Sequence, residues 1–158
     1  MTKIRLVSFH STKKNWSIFN KVAPALIKLW TRSKYYHTEL LIGNLRISSF
    51  TKNGVKVDRV NLLVYDRFIK NIATTLDVQI DQSSVTSMID FAGTQIGMQY
   101  DWKGIVFSQF LPLKIEDKDK RFCSEVVAAV LKKGGLSNII VENPSEYDPG
   151  ELERILNR

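Results

Sequence analysis

Apolar and polar residues alternate over "KIRLVSF" (3–9), the period-two pattern of a β-strand. The period then lengthens. Across "NWSIFNKVAPALIKLW" (15–30) the apolar positions Trp16, Phe19, Val22, Ala23, Leu26, Ile27 and Trp30 fall at helical spacing. Pro24 lies inside that pattern and is expected to break or kink the helix. The apolar stripe is expected to pack on a sheet, the commoner fate of such a face than a membrane surface. In "YYHTELLIGNLRISSFTKNGVKVDRV" two alternating runs flank Gly43-Asn44, a two-residue hairpin signal, and a third run follows Asn53-Gly54. "TLDVQI" (75–80) reads as a further strand. Asp81 or Ser83 can cap a helix running to about Gly97.

"GMQYDWKGIVFSQFLPLKIEDKDKR" carries no period; Gly97, Gly104 and Pro112 punctuate it and a mixed-charge loop closes it. Helical spacing returns in "CSEVVAAVLKK", where Val126, Val127, Val130 and Leu131 form an apolar stripe that ends at Gly134-Gly135, a C-cap signal. Pro149 is placed for the first turn of a short terminal helix. No repeat, low-complexity tract or linker interrupts the chain, so residues 1–158 read as one α+β domain.

The hairpin register assigns neighbours. With Gly43-Asn44 as the turn, Ile42 pairs with Leu45, Glu39 with Ser48 and His37 with Phe50; His37, Glu39 and Leu41 then share a face with Arg46, Ser48 and Phe50. His37 thereby gains two polar neighbours, Glu39 along its own strand and Ser48 diagonally across the ladder. Either can hold an imidazole in one tautomer, the carboxylate more strongly. His10, in "SFHST", has no such company and reads as structural.

Composition narrows the chemistry. The apolar fraction of 44% and charged fraction of 25% are those of an ordinary folded domain. A single cysteine, Cys123, excludes an internal disulfide framework and a multi-thiolate metal site, and two histidines offer little more to a metal. No apolar run reaches a membrane span, and "MTKIRLVSFHSTKKNW" lacks the apolar core of a secretory signal. The expected setting is therefore cytoplasmic or virion-associated. The net charge of +7 is uneven: residues 1–36 hold eight basic groups and no acid, and the remainder is close to neutral. That asymmetry suits an anionic polymer or membrane surface, or simply a solvated face. No specific nucleic-acid motif accompanies it.

Cys123 is three, four and seven residues from Val126, Val127 and Val130, so it shares their face. That placement fits an inert core thiol. It also fits a nucleophile, because unpaired N–H groups and the positive end of a helix dipole lower a thiol pKa, and Arg121 adds charge nearby. A nucleophilic thiol needs a base, and His37 is the candidate.

Taken in order, "HTELLIGNLRISSF", "GMQYDWKGI" and "RFCSEVVAAVLKKGG" resemble the circularly permuted NlpC-type papain-like hydrolases, the group that includes YiiX-like proteins and lecithin–retinol acyltransferases. The histidine strand precedes the cysteine helix, as in the permuted branch. The resemblance implies an α+β papain-like fold with an antiparallel sheet packed against a central helix bearing the cysteine. It implies Cys123 as nucleophile, His37 as base, Glu39 or Ser48 as third polar residue, and Tyr100 with the start of the cysteine helix (Ser124) around the oxyanion and substrate. Where family members place His, Asn, Gln or Glu on the strand after the histidine, this chain has Ser48 or Ser49, and the register favours Ser48. Asp101 and Trp102 read as loop anchors, and Ser124 and Glu125 as first-turn residues favourable to the dipole.

The activity implied is cysteine hydrolysis through a thioester acyl-enzyme, without metal or organic cofactor. Amide bonds of peptidoglycan peptides are the first substrate, cleaved by an endopeptidase or amidase, in a bacteriophage protein by analogy. Lipid esters are an alternative substrate. A non-catalytic basic binding module of the same fold is the alternative in kind.

Overall fold

A computed structural model describes residues 1–12, 19–50, 52–99, 122–141 and 143–157. The alternating segments form β1 (Thr2–Phe9), β2 (His37–Ile42), β3 (Leu45–Phe50), β4 (Gly54–Arg59) and β5 (Ala73–Ile80). They build one antiparallel sheet in the order β4-β3-β2-β1-β5. The hairpin register is the expected one: Ile42 pairs with Leu45, Leu41 with Arg46 and Leu40 with Ile47. Gly43 holds the positive φ of 58° that the first position of a tight hairpin turn demands.

Among the described residues five α-helices accompany the sheet: α1 (Phe19–Thr31), α2 (Leu62–Ile69), α3 (Gln82–Thr94), α4 (Cys123–Lys133) and α5 (Pro149–Leu156). On one face Ile4, Leu6, Leu40, Ile42, Ile47 and Val55 pack with Val85, Met88 and Ala92 of α3, Leu152 of α5 and most of α4. Helix α4 is buried on almost every side, Cys123 through Ala128 included. It ends as its Gly-Gly pair predicts, with Gly135 at φ 93° and the N–H groups of Gly135 and Leu136 bonded back to the carbonyls of Lys132 and Leu131. Helix α5 opens on Asp148, whose carboxylate accepts from the N–H groups of Gly150 and Glu151 while Glu151 returns a bond to the Asp148 N–H.

The other face is where sequence and structure part. Periodicity left residues 61–70 unassigned, yet Asn61 caps α2 by accepting from the Val64 N–H, and Tyr65 and Ile69 of that helix cover Val7, Phe9 and Leu41. The central strands are therefore buried on both sides. Arg5 clamps this face, bonding Asp77 of β5 at 2.7 Å and Asp66 of α2 at 3.0 Å.

Three further expectations need correction. Helix α1 continues on both sides of Pro24, so of the two outcomes expected of the proline, a break or a kink, the break does not occur. Of the stripe residues whose side chains are described, Ile27 packs against the second core while Leu26 is 44% exposed. Strand β5 begins at Ala73 rather than Thr75, extended by pairing with β1 as far as Phe9.

At the sheet edge, Gly54 opens β4 at φ +64°, and a Cβ placed there would lie 2.0 Å from the Met98 carbonyl oxygen, which accepts from the Val55 N–H at 2.8 Å. Gly54→Ala is therefore expected to cost about 2 kcal/mol or more in urea unfolding, combining left-handed strain with a backbone clash. A loss within a few tenths of a kcal/mol would contradict this edge geometry.

Candidate active site

Helix α4 lies on the first sheet face, and its leading residue reaches the start of β2. There the Cys123 sulfur is hydrogen bonded to the His37 ring and accepts from the backbone N–H groups of Thr38 and Ser124. The sulfur belongs to a residue only 3% exposed, whereas the His37 side chain keeps 17% of its surface open. Sulfur and imidazole thus meet at the rim of the core, with the ring toward solvent.

The far side of the ring is fixed by the hairpin. His37 Nε2 is 3.1 Å from Glu39 Oε1 and 3.2 Å from Ser48 Oγ. The Ser48 hydroxyl donates its proton to the Thr38 carbonyl at 3.1 Å, so its oxygen is left to accept. Both neighbours are then acceptors, and Nε2 must carry a proton. That assignment leaves Nδ1 as the nitrogen facing sulfur. Phe9 and Phe50 flank the ring at centroid distances of 5.4 and 5.6 Å, which restricts its rotation and removes water from its faces.

Glu39 is buried, and three elements satisfy it. Oε1 takes the His37 bond; Oε2 accepts the Tyr65 hydroxyl of α2; Arg46 of β3 stands 4.0 Å from Oε1. Arg46 itself is held in a bidentate bond to Asp58 at 2.8 and 2.9 Å.

Electrostatics follow from this packing. For Cys123, burial alone would push the thiol up, but the adjoining imidazolium and the two backbone N–H donors outweigh it and bring the thiol below its usual range. For His37, burial opposes the charged ring, but the thiolate and then Glu39 more than compensate and raise it to about 10. Both shifts favour the thiolate–imidazolium form of the pair. Tyr36, next to His37, is pushed up to about 12 by burial and by the negative charge of Glu39 and Cys123; its hydroxyl is committed to the Ser11 carbonyl at 3.2 Å.

The structure therefore brings together Cys123, His37, Glu39 and Ser48. Ser124 lies beside them at the helix start, its hydroxyl buried and without a partner among the described residues. Ser49 is also buried but alternates to the opposite face of β3 from Ser48. His10 is absent from the cluster and bonds Ser11 Oγ at 2.9 Å. Tyr100, Asp101 and Trp102 lie outside the described residues. Tyr65 and Arg46 were missed as site residues; the one local signal of the helix that carries Tyr65 was its cap, Asn61. Among the described residues no group of three His, Cys, Asp or Glu side chains is placed to hold a metal, and no helix is long and apolar enough to cross a membrane. Compared with known proteins, the chain matches no family model and no curated protein.

The ion pair has a spectroscopic signature. Thiolate absorbance at 240 nm, taken against Cys123→Ser, should appear at a pH below that of an ordinary thiol, with a second inflection near pH 10 as His37 loses its proton. The sign reverses in His37→Ala: only the two backbone N–H donors then oppose burial, the largest influence on the thiol, and the midpoint should rise. An unchanged midpoint in that variant would show that the imidazole does not charge the sulfur.

Proposed function

We propose that this chain is a cysteine hydrolase of the circularly permuted NlpC-type, papain-like kind, working by acyl transfer through a thioester. One observation carries the reading. A thiol at the start of a buried helix is hydrogen bonded to an imidazole whose opposite nitrogen is held by a buried carboxylate and a serine. An inert core cysteine needs none of those partners.

In the proposed reaction the Cys123 thiolate attacks a carbonyl carbon and the carbonyl π pair moves onto oxygen. Backbone N–H groups at the start of α4 stabilise that oxyanion, with Tyr100 in the role the family resemblance gives it. Collapse of the tetrahedral species expels the leaving group, which takes the His37 Nδ1 proton, and leaves a thioester. Water, deprotonated by the now neutral His37, attacks the thioester; the acid product departs and the thiolate–imidazolium pair is restored. Glu39 and Ser48 keep Nε2–H donating throughout, so the proton on Nδ1 is the mobile one.

Amides of cell-wall peptides are the first substrate class, and the basic groups of residues 1–36 suit an anionic wall polymer. A specific observation favours a second class, lipid esters: Leu63 and Val64 at the start of α2 are 74% and 64% exposed, and Leu29 of α1 is similarly open, a pattern that suits an interface with acyl chains.

The test is acyl-enzyme trapping. Incubation with solubilised peptidoglycan fragments, and separately with short-chain phosphatidylcholine micelles, should yield a covalent adduct on Cys123 by intact-mass spectrometry with one substrate and not the other. Cys123→Ala should abolish turnover, and His37→Ala should lower it about a thousandfold or more. Turnover that survives Cys123→Ala would exclude the thioester route. A native thiol that forms no adduct and ignores iodoacetamide until the fold is denatured would leave a binding module.

A further inference from the structure

The carboxylate that orients His37 has a choice of cations, and the structure contains a device that makes the choice. Glu39 is faced by His37 on its own strand, Arg46 from β3, Tyr65 from α2, and Tyr36 at the start of the same strand segment. Arg46 Nη1, at 4.0 Å, is close enough to capture the carboxylate after a small rotation. The phenol of Tyr65 is bonded to Oε2; that bond pins one oxygen and leaves the other, Oε1, on His37 at 3.1 Å. Arg46 is occupied meanwhile by its two bonds to Asp58.

We propose that Tyr65 is a positioning residue: its hydroxyl holds the Glu39 carboxylate on the imidazole rather than on the Arg46 guanidinium, and so sets how readily Cys123 ionises. The inference rests on the thiolate–imidazolium reading of the site and deepens it. The phenol is well suited to the task. It is buried in the second core, its ring sits beside Phe68 at 6.4 Å between centroids, and burial followed by the charge of Glu39 strongly resists its ionisation. It therefore remains a donor across the range in which the site would work.

The experiment uses the full chain with Tyr65→Phe, which keeps the ring and deletes the hydroxyl. The thiolate absorbance midpoint should move up by about one pH unit, and iodoacetamide alkylation below that midpoint should slow roughly tenfold, the effect of losing one hydrogen bond to a charged group. Glu39→Gln should shift the midpoint by at least as much, and adding Tyr65→Phe to it should shift it little further, because the phenol acts through the carboxylate. Parent and variants should share one far-UV spectrum.

A second measurement keeps the hydroxyl in place in case Tyr65→Phe does not fold. In protein labelled with 3-fluorotyrosine, the Tyr65 fluorine resonance should show an inflection at the Cys123 midpoint that disappears in Glu39→Gln. An unmoved midpoint in Tyr65→Phe, a shift that adds in full to that of Glu39→Gln, or a fluorine resonance blind to the thiol would each overturn the positioning role. A parent thiol that titrates in the ordinary range would overturn the functional reading as well, and so separates the two failures.

Discussion

A carboxylate taken out of water must be met by donors or it destabilises the fold by several kcal/mol, and Glu39 is such a group. It lies between β2 and α2 with 3% of its side chain exposed. Its presence in the core constrains everything around it. His37 must present a proton on Nε2, Tyr65 must donate from α2, and Arg46 must remain near enough to balance the charge. Once Nε2 is committed in that way, Nδ1 is left for sulfur. The reactive half of the site follows from the satisfaction of the buried half.

The fold supplies these partners economically in chain length. His37, Glu39, Arg46 and Ser48 come from one hairpin, whose Gly43 turn fixes the register that aligns them. A one-residue slip would send Glu39 to the face occupied by α4 and replace it with Thr38. Cys123 arrives separately, on a helix whose valines pack on β2 and β3 through the opposite face. Its sulfur meets the ring because α4 starts where β2 starts. The Thr38 N–H then donates to sulfur while the Thr38 carbonyl accepts from Ser48, so one peptide segment ties both halves of the cluster together.

The hairpin was fully legible in the sequence. Alternation placed the strands, Gly43-Asn44 fixed the pairing, and the pairing put Glu39 and Ser48 beside His37. The end of α4 and the start of α5 were equally plain, because Gly134-Gly135 and Pro149 are local signals whose effect does not depend on distant packing. What escaped was the second layer. "NLLVYDRFIK" exposes Leu62, Leu63 and Val64 and buries Tyr65 and Ile69, so its apolar residues do not form a single stripe and periodicity alone gave no clear period. Without that helix the phenol that satisfies Glu39 had no visible reason to be near. The extent to which the stripe of α1 stays uncovered was hidden for a similar reason: a pattern shows which side chains are apolar, not which of them find a partner.

Burial and pairing act against each other in the two groups that meet at the rim, and their balance gives the site its character. Desolvation by itself would leave a neutral thiol beside a neutral ring, the ground state of an inert core cysteine. Three features tilt the balance toward charge separation: the backbone donors of Thr38 and Ser124 at the sulfur, the carboxylate behind the ring, and the partial exposure of the imidazole, which moderates its own desolvation. The first acts on the sulfur and the other two on the ring, and they come from α4, from β2 and from the open end of the sheet. The downward shift of the Cys123 thiol is therefore a property of the assembled fold. The unfolded chain keeps the same residues but lacks the enclosure that makes them answer to one another.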